Sequence, residues 1–278
     1  MKNYHTFLYM MVVLFLFLST MMIILTCLKL NSTTVGKKPV KYTSTPVYCL
    51  MVTGQNELRR SYAKISIKNF LLQTYANKNL IILNQSKASL LSKDYTNILE
   101  VFIDEPHSLG TLRNISLQFV PPNAIWTTWD DDDWRHTQYL TTMISIFNTK
   151  QDIEFMMFQN RLEYNMITKY MFRSKMKHGT MIFFAKQNPY LAFSEKDVLE
   201  DVELKQYALN NLKYYIYNND PKMYLRLIHQ SNTSIYVDPE KQKIKNNQNA
   251  KTYFEFEASE ADSIYINNII SKEYKNVL

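Results

Sequence analysis

The chain has 278 residues, 46% hydrophobic and 21% charged, enough to bury a substantial core, which excludes a disordered polymer. Its net charge of +7 includes no arginine-rich stripe or interleaved stacking motif, so nucleic acid is not an expected partner. Four glycines exclude collagen-like architectures, and two cysteines, Cys27 and Cys49, exclude a disulfide framework or a cysteine-built zinc site.

After a short tail, residues 1–6, Phe7 to Leu28 carry no charge. A helix of that length rises roughly 33 Å, enough to cross a hydrocarbon core of about 30 Å. It exceeds the apolar region of a secretory signal, and no small-residue cleavage site follows, so an uncleaved transmembrane anchor is expected. Lys2 lies on one side, with Lys29, Lys37, Lys38 and Lys41 on the other. The positive-inside rule therefore argues for a single-pass protein with a cytosolic C-terminal domain. Asn-x-Ser/Thr acceptors occur at Asn31, Asn84, Asn114 and Asn232. Two of them fall in segments expected to line a site, where a glycan would be awkward. Residues 29–46, polar, basic and proline-punctuated, read as a stalk.

From residue 47 onward apolar runs of strand length alternate with segments of helical period. Strands are expected at 47–52 (VYCLMV), 80–83 (LIIL), 99–103 and 124–129. Helices are expected at 60–73, at 109–120 before Pro121-Pro122, and at 134–147. This order predicts an α/β domain with a mostly parallel central sheet, whose ligand lies at the carboxyl ends of the strands. Further strands are expected at 155–158, 181–185 and 223–228, and a helix at 201–209. The domain is expected to span 47–240. Residues 241–278 then form a solvated basic loop (Lys241, Lys243, Lys245) and a C-terminal helix covering the core through Ile264, Ile269, Ile270 and Tyr274.

Trp129-Asp130-Asp131-Asp132-Asp133-Trp134 is the most informative segment. Four adjacent carboxylates repel unless solvent or a cation offsets their charge. An acidic surface turn is one reading. A site for Mg²⁺ or Mn²⁺ is the other, because hard oxygen ligands suit these ions and the run follows a buried strand between two tryptophans.

Taken with its neighbours, the run resembles the donor-site Asp-x-Asp of family 2 glycosyltransferases, which share the GT-A nucleotide-sugar-binding fold. The opening CLMVT and FLLQTYANKNLIIL resemble that family's first strand, helix and second strand. LGTLRN at 109–114, GT at 179–180, Glu200-Asp201 and YLRLIHQSNT at 224–233 follow in the family's order. The resemblance implies metal-dependent transfer of a sugar from a nucleotide-sugar donor to an acceptor hydroxyl of a glycan, lipid or protein, with inversion. It implies that Asp130 contacts the donor or the metal and that Asp132 and His229 are metal ligands. Asp201 is then the general base, and Gly110, Arg113 and Asn114 lie along the donor. Thr53 and Asn56, at the end of the first strand, are donor-contact candidates by position.

Each residue also has a plainer reading. Glu200 and Asp201 suit the first turn of a helix, Arg113 suits the solvated face of one, and a histidine ending a strand is often simply packed. The sequence departs from the family at Asn84-Gln85-Ser86, where an acidic turn reads the base, and at Gln230, where the family has glycine. These departures motivate one competing reading, a catalytically inactive, membrane-tethered binding module of the same fold. A metal-dependent phosphotransferase is disfavoured, because no Asp-x-Asp run follows the first strand.

Overall fold

The computed structural model describes residues 45–54, 56–150, 152–232 and 253–275. The expected anchor at 7–28, stalk residues 29–44 and the basic stretch from Lys241 to Lys245 lie outside the described residues. Among the described residues no helix is long and apolar enough to cross a membrane.

The first half runs β1 (Val47–Thr53), α1 (Glu57–Leu71), β2 (Lys78–Asn84), β3 (Ile98–Phe102), α2 (Leu109–Leu117) and β4 (Ile125–Thr128). Then come β5 (Trp134–Arg135), α3 (Tyr139–Thr149), β6 (Phe155–Phe158), β7 (Asn160–Asn165), β8 (Met171–Met176) and β9 (Phe183–Lys186). The chain continues through α4 (Val202–Asn211), β10 (Tyr214–Tyr217), β11 (Tyr224–Ile228), β12 (Tyr253–Glu257) and α5 (Glu260–Glu273).

Seven strands form the central sheet in the order β10-β6-β9-β4-β1-β2-β3. β1 pairs in parallel with β2 and β4, β2 with β3, and β6 with β10, whereas β9 runs antiparallel to both its neighbours. The expectation of a mostly parallel sheet therefore holds, with one strand reversed. β1 shows why the sheet is covered on both faces. Val47, Cys49 and Met51 join Ala63, Ile67 and Phe70 of α1 on one side. Leu50 faces the other way, toward Leu112 and Leu117 of α2. A strand that buries both sides reads as a continuous apolar run, which is how VYCLMV stands out in the sequence.

The second sheet, β12-β8-β7-β11-β5, was only partly legible. Its strands NRLEYN and MFRSKM alternate charged and apolar residues, and their pairing with β11 and β12 sets their conformation. The helix expected at 134–147 begins five residues later. Trp134 and Arg135 instead form a short strand antiparallel to Leu225 and Tyr224. The Arg135 guanidinium lies 4.1 Å above the Trp129 ring and 5.1 Å from that of Tyr224, a sandwich that holds this segment extended. Long-range packing overrides the local helical period here.

The C-terminal helix forms as expected, with Ser259 Oγ accepting from the Asp262 N–H as its cap. Ile266, Ile269, Ile270 and Tyr274 pack with Tyr62 of α1 and with Leu162, Leu225 and Leu227 of the second sheet. Ile264, assigned to the buried face from the sequence, points outward and is 55% exposed. Ile266→Ala is therefore expected to lower unfolding free energy by about 3 kcal/mol, the usual cost of emptying a buried isoleucine site. Ile264→Ala should change it by less than about 0.5 kcal/mol. Urea denaturation of the two variants measures the difference.

Candidate active site

The site lies at the carboxyl ends of β1, β2 and β4, a cleft of about 470 Å³. Its walls include Asn56, Arg59, Gln85, Arg113, Asp130 to Asp133, Asp201 and Arg226.

The aspartate run leaves β4 and is pinned first through its backbone. The Trp129 N–H donates to Leu50 O at 2.8 Å, and Ser66 Oγ donates to Asp130 O at 3.1 Å. Arg135 Nη1 donates to both Asp130 O and Asp133 O at 3.3 Å. The four carboxylates then separate in function. Asp133 faces inward, accepting from the Leu227 N–H at 3.1 Å and from the Tyr224 hydroxyl, so it joins the run to β11. Burial raises its pKa, and the charges of Asp132 and Asp130 add to the effect. Asp131 is buried beside Thr53, and burial lifts its pKa well above the carboxylate range against the opposing pull of Arg59.

Asp132 is the hub. Its Oδ2 accepts from Arg59 Nη1 at 2.5 Å and from Asn232 Nδ2 at 2.9 Å, and meets His229 Nε2 at 3.1 Å. Burial would raise its pKa, but Arg59 and His229 outweigh it and hold Asp132 ionised. His229 Nδ1 accepts from the Ser231 N–H, so Nε2 carries the proton in this arrangement. The imidazole also stacks on Tyr62 with centroids 4.4 Å apart.

Asp130 faces the cleft, with its side chain 36% exposed. Arg113 reaches it from α2, Nη2 to Oδ1 at 2.8 Å, while Nη1 donates to Glu200 Oε1 at 2.5 Å. Arg113 is thus not a solvated surface residue, and Glu200 is its counter-ion. Asp201 stands at the N-cap of α4, just before Val202, but its side chain makes no capping hydrogen bond. Its carboxylate lines the cleft with a pKa raised by burial against the pull of Arg113. The helix-terminus reading therefore accounts for its position but leaves its side chain available.

Four residues given donor-side places from the sequence make contacts within the chain itself. Gly110 was expected to lie along the donor; a Cβ there would stand 1.7 Å from the Ser194 carbonyl oxygen. Its N–H donates to Lys196 O at 2.9 Å, so the close approach is to the chain's own loop. Asn114 exchanges two 2.8 Å hydrogen bonds with the backbone of Phe193 and secures the same loop. Thr53 is fully buried beside Asp131. Asn56 lines the cleft, but its Oδ1 accepts from the Arg59 N–H at 2.9 Å as the cap of α1.

The two departures also acquire explanations. Asn84 is buried; its Nδ2 donates to Glu100 Oε1 at 2.7 Å, and its Oδ1 accepts from the Ser86 N–H at 2.8 Å. It closes the turn and leaves Gln85 to line the cleft. Gln230 is not among the described residues with positive φ, so the turn after His229 needs no glycine there. That turn closes through the His229 N–H donating to Asn232 Oδ1 at 2.5 Å. Leu199, by contrast, takes φ +61° at the cleft rim, an uncommon conformation for a bulky side chain, immediately before Glu200.

Sequence reasoning missed Arg59 and Asn232, the two residues that share Asp132 with His229. Their only local signal is position: Arg59 follows an Asn cap by three residues at the end of β1, and Asn232 follows His229 by three.

Among the described residues no three His, Cys, Asp or Glu side chains converge as a protein-only metal cage. A hard divalent ion asks for less: one or two carboxylates, its shell being completed by substrate phosphates and water. Asp130 and Asp132 fit that demand. Both line the cleft, and the three contacts to Asp132 described above all fall on Oδ2, none of them on Oδ1.

No protein-family model matches the chain, and no curated protein sequence matches it. Solved structures do. Residues 1–349 of S. aureus TarS in complex with UDP-GlcNAc superpose with a TM-score of 0.52 at 12% identity, covering 84% of this chain and 74% of that one. A longer S. aureus TarS structure gives a TM-score of 0.50 at 11% identity, covering 83% of this chain and 44% of that one. At these identities the likeness shows the fold, a glycosyltransferase fold.

Gly110→Ala is expected to force Ser194 aside and to drag the loop carrying Glu200 and Asp201 with it. Overpacking of this kind costs about 1–3 kcal/mol or more. Thermal denaturation should show the loss, and limited proteolysis should show new cleavage between residues 191 and 201. Unchanged stability and protection would contradict the contact.

Proposed function

We propose that this protein is a glycosyltransferase that moves a sugar from a nucleoside-diphosphate sugar to an acceptor hydroxyl with inversion at the anomeric carbon. One observation carries the reading. Asp130, Asp132 and Asp201, drawn from segments far apart in sequence, line a single cleft at the carboxyl ends of a glycosyltransferase-fold sheet.

Asp130 and Asp132 would hold a divalent ion, Mn²⁺ or Mg²⁺; His229, expected from the sequence as a third ligand, is given a different role here, because its Nε2 is engaged by Asp132 and positions that carboxylate. Such an ion, when bound, supplies electrostatic stabilisation of the leaving diphosphate without moving a proton. Arg113 ties Asp130 to Glu200 and so fixes the donor side of the cleft relative to the loop that bears Asp201. Asp201 takes the proton from the acceptor hydroxyl as its oxygen bonds to the anomeric carbon. The bond from that carbon to the diphosphate breaks in the same displacement, and its electron pair leaves on the phosphate oxygen. Burial raises the Asp201 pKa against the pull of Arg113, making it a stronger base than an ordinary aspartate.

The acceptor is a glycan, lipid or protein hydroxyl. Residues 7–28 are proposed to anchor the enzyme as a single-pass membrane protein. The support is their 22-residue uncharged length, and the lysine distribution argues for a cytosolic catalytic domain.

Full-length protein in detergent, supplied with Mn²⁺ and a panel of sugar nucleotides, should release nucleoside diphosphate. UDP-sugars lead the panel because the TarS structure holds UDP-GlcNAc. EDTA and Asp132→Ala should abolish turnover. No turnover together with no calorimetric binding of any sugar nucleotide would overturn the reading in favour of an inactive tethered module. Asp201→Asn should lower kcat about 10²- to 10⁴-fold, the range for a lost general base, with nucleotide affinity retained.

The pH profile gives an independent check. A base must be ionised, so activity is lost as pH falls through the Asp201 pKa. Because burial raises that pKa, the acidic limb of kcat should lie above the range of an ordinary aspartate. The limb should vanish from the residual activity of Asp201→Asn.

A further inference from the structure

Arg59 has no role in the chemistry assigned above, yet it makes two close contacts in the cleft. Nη1 lies 2.5 Å from Asp132 Oδ2 and Nη2 lies 2.5 Å from Asp131 Oδ1, so one guanidinium spans two adjacent carboxylates. Its side chain is 14% exposed and borders the cleft. The placement is built from both ends. Asn56 caps the backbone N–H of Arg59 in the first turn of α1. Gly54 leaves room for the stem: a Cβ there would come within 3.0 Å of Arg59 Cγ and 3.4 Å of its Cβ.

The contact falls on Asp132, the carboxylate assigned to the divalent ion. A fixed positive charge and an incoming ion both draw on that carboxylate, and like charges at such range repel strongly inside a protein. Removing either cation favours the other, so their competition is a coupling between two sites.

We propose that Arg59 is a resident counter-cation: it spans Asp131 and Asp132, offsets the charge of Asp132 before the donor arrives, and holds divalent-ion affinity low until donor phosphates add their own negative charge. The proposal rests on the assignment of a metal to Asp130 and Asp132. It goes further in making ion binding depend on the donor through one side chain.

The test is direct counting of bound Mn²⁺, by the loss of the free-ion electron paramagnetic resonance signal, on full-length wild type, Arg59→Gln and Arg59→Lys. Without nucleotide, Arg59→Gln should bind Mn²⁺ about 10-fold more tightly than wild type, within the range usual for coupled sites. Arg59→Lys, which keeps the charge, should stay within about threefold of wild type on the same scale. Adding UDP should tighten Mn²⁺ binding more in wild type than in Arg59→Gln. Gly54→Ala displaces the arginine without removing its charge. It should give intermediate tightening, and it serves as the test should Arg59→Gln fail to fold.

If wild type binds Mn²⁺ but Arg59→Gln and Gly54→Ala bind it no more tightly, the proposal fails and the metal assignment survives. If neither wild type nor variants bind Mn²⁺ with or without UDP, the metal assignment fails and the proposal falls with it.

Discussion

Four consecutive carboxylates cannot be folded against one another without positive charge, and this chain supplies it with two guanidiniums. Arg59 takes Asp131 and Asp132, and Arg113 takes Asp130 and binds Glu200 with its other nitrogen. Removing one partner of such a buried pair typically costs about 3–5 kcal/mol, because the other charge is stranded. The cleft is therefore an electrostatic frame before it is a binding site. Each arginine comes from a helix that follows a strand of the parallel sheet, so the frame is assembled by the same alternation that builds the fold.

The frame also explains why the four aspartates, alike in sequence, differ in chemistry. Asp133 is spent on structure, joining the run to β11 through Leu227 and Tyr224. Asp131 is buried over Thr53. Asp130 and Asp132 keep access to the cleft, one half-exposed beside Arg113 and the other held by Arg59, His229 and Asn232.

The parts of the fold readable from sequence were those whose pattern is local. The buried strands β1, β2 and β4 announce themselves as apolar runs, and α1 and α2 by their helical period. The polar strands of the second sheet do not, because their conformation is imposed by partners such as β12, which lies about eighty residues from β8. Trp134 and Arg135 read as helix for the same reason. In the site, the residue types were legible but their contacts were not. Gly110 is required by its close approach to Ser194. Asn114 and Asn84 hold loops rather than ligands. Arg59 carried no family signal, and only the three-dimensional meeting of α1 with the aspartate run assigns it.

The distances along the chain between these partners have a kinetic meaning. Arg59 and Asp132 are 73 residues apart, Arg113 and Glu200 are 87 apart, and His229 and Asp132 are 97 apart. Contacts of such long range form only after the intervening loops are closed, so they contribute late to folding and lengthen the search. Until then the aspartates repel one another and favour the expanded chain. The sheet that carries the cleft is no more local, since the β1–β4 pairing joins Val47 to Ile125, so the charge frame and the sheet are completed by the same long-range closures.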